Sequence, residues 1–285
     1  MRFHMFIGLT ILLVACAPTP LATNDPKGRP FASSTPSSIP TAVFTSTLTA
    51  TSTPQPTATL TPSPTVTLTP PATATAQMIC LRIMPLGDSI TFGEGAVTYG
   101  GYRNLLGVLL ANDGYMVDFV GSQQTGIGVI PDPDNEGHGG WKIMNIKDAI
   151  DSEGWLEIYQ PDIILLHIGT NDINRGYAAS APENLSALLD DILLRLPEAR
   201  IIVAQIIPYS SGPLEEHTAY NAAIPGIIAS KGPRVSVVDM QNILSQDDFA
   251  DTYHPNAGGY DKMARAWQAA ILTLESLPDL TCSPK

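Results

Sequence analysis

From Cys80 onward, apolar and polar positions follow two periods in turn. Short apolar runs of strand length occur at Leu81–Leu86, Tyr115–Val120, Asp162–Ile168, Arg200–Ile207 and Val235–Asp239. Between them, Gly101–Asn112, Ile143–Tyr159, Ala181–Leu196, Leu214–Ser230 and Asn256–Leu277 carry apolar residues at helical spacing. The runs at Asp162–Ile168 and Arg200–Ile207 barely alternate, as expected of strands covered on both faces. Pro182 in a first turn and Asn256 as an N-cap mark helix starts. Gly154 weakens the second helix, and Pro225 predicts a kink or break in the fourth. Pro85 sits near the end of an interior strand and predicts that pairing stops there. Five strands interleaved with helices give an α/β fold with a doubly wound parallel sheet. Ligands of such sheets lie beyond the carboxyl ends of the strands.

The first 77 residues break this pattern. Residues 1–16 read as an export signal, with Arg2 ahead of a short apolar run from Phe6 to Val14. The run ends in Leu13-Val14-Ala15-Cys16, which resembles a bacterial lipobox and implies a lipid on Cys16 and an N-terminal membrane anchor. A plain secretory signal is the alternative, and either reading places the rest outside the cytoplasm. Residues 17–77 read as a disordered linker. Within it, 30 of the 45 residues from Ser33 to Gln77 are Pro, Ser or Thr and none is charged, too little apolar surface to offset ordering entropy. As an extended spacer at about 3.1 Å per residue it reaches on the order of 100 Å. Its hydroxyls are candidate sites for O-linked sugar. Residues 78–285 are left as one domain.

Charge narrows the partners. The chain has a net charge of −12, which argues against nucleic acid, whose binders present a basic face. Three polar clusters stand at the carboxyl ends of strands one, three and five. They are Gly87-Asp88-Ser89, Gly169-Thr170-Asn171-Asp172 and Asp251-Thr252-Tyr253-His254. A serine hydroxyl becomes a nucleophile when a base and an oxyanion site surround it. His254 is the candidate base, and Asp251, three residues earlier, the carboxylate that orients its ring. Pro255 keeps His254 out of helical geometry. Asn171 offers a side-chain N–H to an oxyanion, with the backbone N–H of Ser89 and of Gly139 or Gly140 beside it.

These blocks, in this order, resemble those of the SGNH (GDSL) hydrolases, and the resemblance covers essentially the whole domain. It implies a flavodoxin-like three-layer α/β/α sandwich with a five-stranded parallel sheet. It implies Ser89 as nucleophile, His254 as base, Asp251 as its orienting acid, and Ser89, Gly140 and Asn171 as the oxyanion hole. Gly121 also follows a strand but fits the glycine position less well. Arg82–Thr91, Glu136–Trp141, His167–Ile173 and His254–Ala264 together look like carbohydrate esterase family three. That likeness implies removal of acetyl groups from polysaccharide. Two alternatives stand beside it: a lipid esterase or thioesterase for longer acyl chains, and a non-catalytic glycan-binding module.

Other chemistry has less support. No zinc or nucleophile-elbow motif occurs, and no metal or cofactor is expected. Asp132, Asp134, Asn135 and Glu136 put oxygen donors in the long loop 121–140, read as a solvated acidic turn with calcium as the rival. His138 and Trp141 are candidates for the wall of a sugar cleft. His167 reads as a hydrogen-bonded core histidine, His217 as a helix-surface residue and Asp172 as a loop brace. With Cys16 lipidated, Cys80 and Cys282 remain, both at the end of the sheet opposite Ser89, and are expected to form a disulfide.

Overall fold

The computed structural model describes residues 79–209 and 212–274. The chain divides into two units, Met1–Thr69 and Pro70–Lys285, and the described residues all belong to the second. The signal-like segment, the Pro/Ser/Thr-rich stretch, Cys16 and Cys282 lie outside the described residues. Cys80 is disulfide-bonded.

The strands are β1 (Ile79–Gly87), β2 (Tyr115–Phe119), β3 (Gln123–Gln124), β4 (Asp134–Gly137), β5 (Ile163–His167), β6 (Arg200–Ala204) and β7 (Val235–Val238). The helices are α1 (Ser89–Phe92), α2 (Arg103–Asn112), α3 (Ile143–Glu153), α4 (Trp155–Tyr159), α5 (Thr170–Asn174), α6 (Ala181–Arg195), α7 (Leu214–Ala229) and α8 (Ala257–Leu272). The five expected strands pair in parallel in the order β2-β1-β5-β6-β7. The long loop adds two more: β4 runs parallel to the end of β1, and β3 pairs antiparallel to β4.

The strands carry two cores because successive side chains point to opposite faces. Leu81 and Ile83 of β1, Ile163 and Leu165 of β5, and Ile202 and Ala204 of β6 pack with Leu106 and Leu110 of α2 and Trp267 of α8. Their neighbours Met84, Leu86, Ile164, Leu166, Ile201 and Val203 pack on the other face with α3, α6 and α7. The unbroken apolar runs are the signature of this double covering, and the architecture is an α/β/α sandwich.

Several expectations need correction. Pairing does not stop at Pro85, which stands opposite Leu165 while β1 continues to Gly87. On the other side of β1, Ile83 O accepts from Val120 N and Gly87 O accepts from His138 N. Residue 85 faces that same side, between the end of β2 and the start of β4, so its missing N–H has no acceptor to serve. The helix expected over Ile143–Tyr159 is two helices broken at Gly154. Helix α7 runs through Pro225. His217 is not on the surface: it is 1% exposed, and its Nε2 donates to Ile207 O at 2.8 Å. Beside it, Asn221 bonds both the N–H and the C=O of Ile206, so polar side chains of α7 satisfy the backbone beyond β6. Nor is the acidic run in loop 121–140 a solvated turn. Asn135 and Glu136 are fully buried, and Asp132 accepts from Phe119 N and Asp134 N.

Candidate active site

Strand β1 delivers Gly87-Asp88-Ser89 to the carboxyl end of the sheet, where the chain turns directly into helix α1. Asp88 is the N-cap, its Oδ1 accepting from Ile90 N at 3.0 Å. Ser89 is the first helical residue, and its side chain faces the last polar cluster. There, Phe249 bridges Pro255 and Ala250 N donates to His254 O, closing a tight turn ahead of α8. Asn256 caps α8 by accepting from Gly259 N.

These two segments form a linear relay. Ser89 Oγ lies 2.9 Å from His254 Nε2. His254 Nδ1 lies 2.8 Å from Asp251 Oδ2. An ionised carboxylate only accepts, so the proton sits on Nδ1 and leaves Nε2 free to accept from Ser89. Burial pushes the Asp251 carboxyl up, but hydrogen bonds from the His254 ring and from the N–H groups of Tyr253 and His254 outweigh it. The net effect holds Asp251 below the usual carboxylate range.

Asn171, in α5, donates one amide N–H to Trp141 O at 3.0 Å. That bond fixes the amide and ties the 138–142 loop to the Gly169–Asp172 cluster. Gly140 lies in this loop at φ +77°, a conformation that favours glycine. Asp172 accepts from Ile143 N at 3.1 Å, so it braces the start of α3 as expected. His167 is fully buried, and its Nε2 accepts from Ile207 N; burial lowers its pKa to about 4, and it stays neutral. Among the described residues no group of three His, Cys, Asp or Glu side chains could hold a metal ion.

His138 and Trp141 do not border the cleft that opens at His254. The His138 ring is stacked between Trp141 and Trp155, at centroid distances of 3.9 and 5.0 Å. Its Nε2 lies 2.6 Å from Glu136 Oε1, itself held by Ser122. The pair lines another groove, with Ser122 and Asp148. The cleft reaching His254 and Asp251 has a volume of about 760 Å³, with Phe92, Glu94, Tyr99, Gln124 and Ile127 in its walls. Sequence reasoning missed these wall residues. The one local signal is Gly93-Glu94-Gly95, a charged residue between glycines just after the serine helix.

Asp88 is fully buried against this relay. Burial drives its carboxyl up to about 7, against the Ile90 N–H, the Thr170 hydroxyl and the His254 charge, which act to lower it. The folded chain therefore keeps a proton that the unfolded chain, with an ordinary value of 3.8, gives up. Between those two values the folded state binds more protons, so stability falls as pH rises through the window. Asp88→Asn preserves the cap and removes this slope. The variant is expected to be the more stable form at pH 8, by on the order of 2–4 kcal/mol, with the two chains converging near pH 4. Urea midpoints measured across that range check it, and parallel curves for the two chains would refute it.

Residues 86–262 match the GDSL-like lipase/acylhydrolase family model. A multidomain esterase of Ruminococcus flavefaciens is 32% identical over 221 residues, 67% of this chain and 28% of that protein, so the chain spans under a third of it. A family 3 carbohydrate esterase of Clostridium thermocellum superposes with a TM-score of 0.62 at 37% identity, covering 68% of this chain and 97% of the other. A family 3 carbohydrate esterase from Talaromyces cellulolyticus gives 0.56 at 29%, with the same coverage. The resemblance read from the sequence blocks is thus borne out, and the chain belongs to the GDSL-like lipase/acylhydrolase family, a family of carboxylic ester hydrolases on the SGNH fold.

Proposed function

We propose that this chain is an extracytoplasmic serine esterase that removes O-acetyl groups from carbohydrate. One observation carries the reading: Ser89, His254 and Asp251 stand in hydrogen-bonded series, and the last two line an open cleft. The family 3 carbohydrate esterases among its relatives supply the substrate class. Ser89 Oγ attacks the ester carbonyl carbon as His254 Nε2 takes its proton. The carbonyl oxygen gains negative charge and is met by the N–H groups of Ser89 and Gly140 and by the second amide N–H of Asn171. His254 then protonates the leaving sugar oxygen, and the C–O bond breaks to leave an acetyl-serine. Water, giving a proton to His254, attacks that ester and frees acetate, and the proton returns to Ser89 Oγ. Asp251 holds the tautomer that makes each transfer possible. The lipobox-like Cys16 and the Pro/Ser/Thr-rich stretch complete the proposal: an enzyme tethered to a membrane and held away from it.

Acetate release from acetylated xylan by the full chain tests the substrate class. Nitrophenyl acetate is expected to outrun nitrophenyl octanoate by about ten-fold or more in kcat/KM. Octanoyl esters turned over faster, with acetylated xylan untouched, would replace this reading with that of a lipid esterase or thioesterase.

A further inference from the structure

His254 has a third neighbour that the relay does not use. Glu94 Oε2 lies 3.3 Å from His254 Nε2, the same nitrogen that faces Ser89. Its other oxygen, Oε1, lies 2.7 Å from where a side chain on Gly139 would begin. The carboxylate therefore lies between the candidate base and the glycine loop proposed for the oxyanion site.

Glu94 is held there by its backbone. Its N–H donates to Ser89 O at 3.0 Å, and its C=O accepts from the buried Tyr260 hydroxyl at 2.6 Å. Gly93 and Gly95 flank it at φ +101° and +86°. A Cβ on Gly95 would strike Pro255 O and the His254 side chain, and one on Gly93 the Tyr99 backbone. The backbone constraints run to the serine, the histidine turn, helix α8 and the cleft wall. The side chain is the free part: 38% exposed and directed into the cleft.

The same cleft is lined by Tyr99, a non-glycine residue in the left-handed region at φ +51°. Its carbonyl accepts from Arg103 Nη2 at 3.1 Å, and its ring meets Phe92 edge-on at 6.0 Å. The side chain is 51% exposed at the cleft. A strained backbone that presents an aromatic ring to a cleft is a feature of binding sites.

We infer that Glu94 and Tyr99 form a leaving-group subsite, which selects esters whose alcohol carries a free hydroxyl next to the esterified oxygen. The inference rests on the esterase reading above and adds which alcohol the cleft prefers. The leaving oxygen must come within hydrogen-bond reach of His254 Nε2 to be protonated. In a vicinal diol the neighbouring hydroxyl lies within a hydrogen-bond length of that oxygen. Glu94, beside Nε2, is then placed to accept from the hydroxyl, and an ionised carboxylate has only acceptor capacity to offer. Without that donor, the leaving oxygen gains negative charge next to a bare carboxylate, so esters of simple alcohols are disfavoured. Tyr99 supplies a face for the ring that carries the two oxygens.

The test compares the monoacetate of a vicinal cyclohexanediol with the same ester whose free hydroxyl is methylated. Both are given to the full chain and to its Glu94→Gln variant, whose fold is checked by melting. The wild type is expected to prefer the free hydroxyl by about ten- to a hundred-fold in kcat/KM, the range of a charge-assisted hydrogen bond. In Glu94→Gln the preference is expected to shrink to within about three-fold, and Glu94→Ala should behave alike. Equal losses on both esters would assign Glu94 to the imidazole and overturn the inference. A wild type that deacetylates xylan but ignores the methyl cap would overturn the subsite alone. Failure on acetylated xylan with turnover of octanoyl esters would overturn the function and the subsite together.

Discussion

Ser89→Ala is expected to lower kcat on nitrophenyl acetate by on the order of 10⁴-fold or more, while the urea midpoint shifts by less than the equivalent of about 1 kcal/mol. The size follows from the geometry. Ser89 Oγ is the atom 2.9 Å from His254 Nε2, and nothing else in the relay is a nucleophile. His254 would still be free to activate a water molecule, so a residual rate from the oxyanion donors and binding remains. Stability is spared because the hydroxyl contributes one hydrogen bond at a partly open site, and helix α1 keeps its Asp88 cap. Asp251→Asn should fall short of this loss, since it disturbs the histidine tautomer but removes no reacting atom. A Ser89→Ala chain with more than a tenth of the wild-type kcat would reject the mechanism.

Arg103→Met is expected to cost about 3–5 kcal/mol of stability, the largest loss we anticipate from a residue outside the relay. Arg103 is 1% exposed. Its Nη1 donates to Pro133 O at 2.8 Å and Asp134 O at 3.3 Å. Its Nη2 donates to Tyr99 O at 3.1 Å and Phe92 O at 3.4 Å, and reaches Thr125 Oγ1. One guanidinium thus ties the 92–99 segment to the 125–134 segment, and these are two walls of the cleft. Burial lowers its pKa to about 10, so it stays charged at neutral pH. Methionine fills the volume but takes the Arg103 donor from Tyr99 O and Asp134 O, and leaves Pro133 O with Thr125 N and Asn135 Nδ2 and Phe92 O with Thr125 Oγ1 alone; a buried carbonyl that loses its donor is expensive. The variant should therefore lose stability and also raise KM, as its cleft walls lose their common anchor. Arg103→Lys should recover less than half of the loss, because one ammonium cannot reach both walls. A urea midpoint for Arg103→Met equivalent to a loss under about 1 kcal/mol would show that the walls hold without it.

The sheet and its helices were legible because their signals are local. Residues 163–166 and 201–204 are apolar at every step, which follows from having a core on each face. Ser89 and Asn171 were legible because each follows directly on a strand, where a small polar block interrupts an apolar run, and Asp251 and His254 because an Asp-x-x-His-Pro block stands just ahead of a helix. What escaped is set by tertiary structure. Nothing in the α7 pattern says that His217 and Asn221 face inward; that depends on the frayed end of β6 needing donors and acceptors. Arg103 reads as an ordinary charged residue at a helix start, and its burial follows from five acceptors in the 92–99 and 125–134 segments. Pro85 reads as a stop because an interior strand has no place for a residue without an N–H. Instead β2 and β4 share one side in turn. Glu94 and Tyr99 sit in a turn without periodicity, so their place beside His254 emerges only when the last turn of the chain docks on the first.

That docking has a consequence for when the protein becomes active. Ser89 and His254 are 165 residues apart in sequence. The first arrives on the strand that opens the sheet, the second on the turn that precedes its last helix. Contacts of such high sequence separation form late, after the intervening loops have been closed. The relay is therefore assembled only when α8 seats against β1 and α2. Catalytic power in a refolding or newly made chain should appear in step with completion of the whole domain, and a chain cut anywhere before the final turn carries a serine with no base to awaken it.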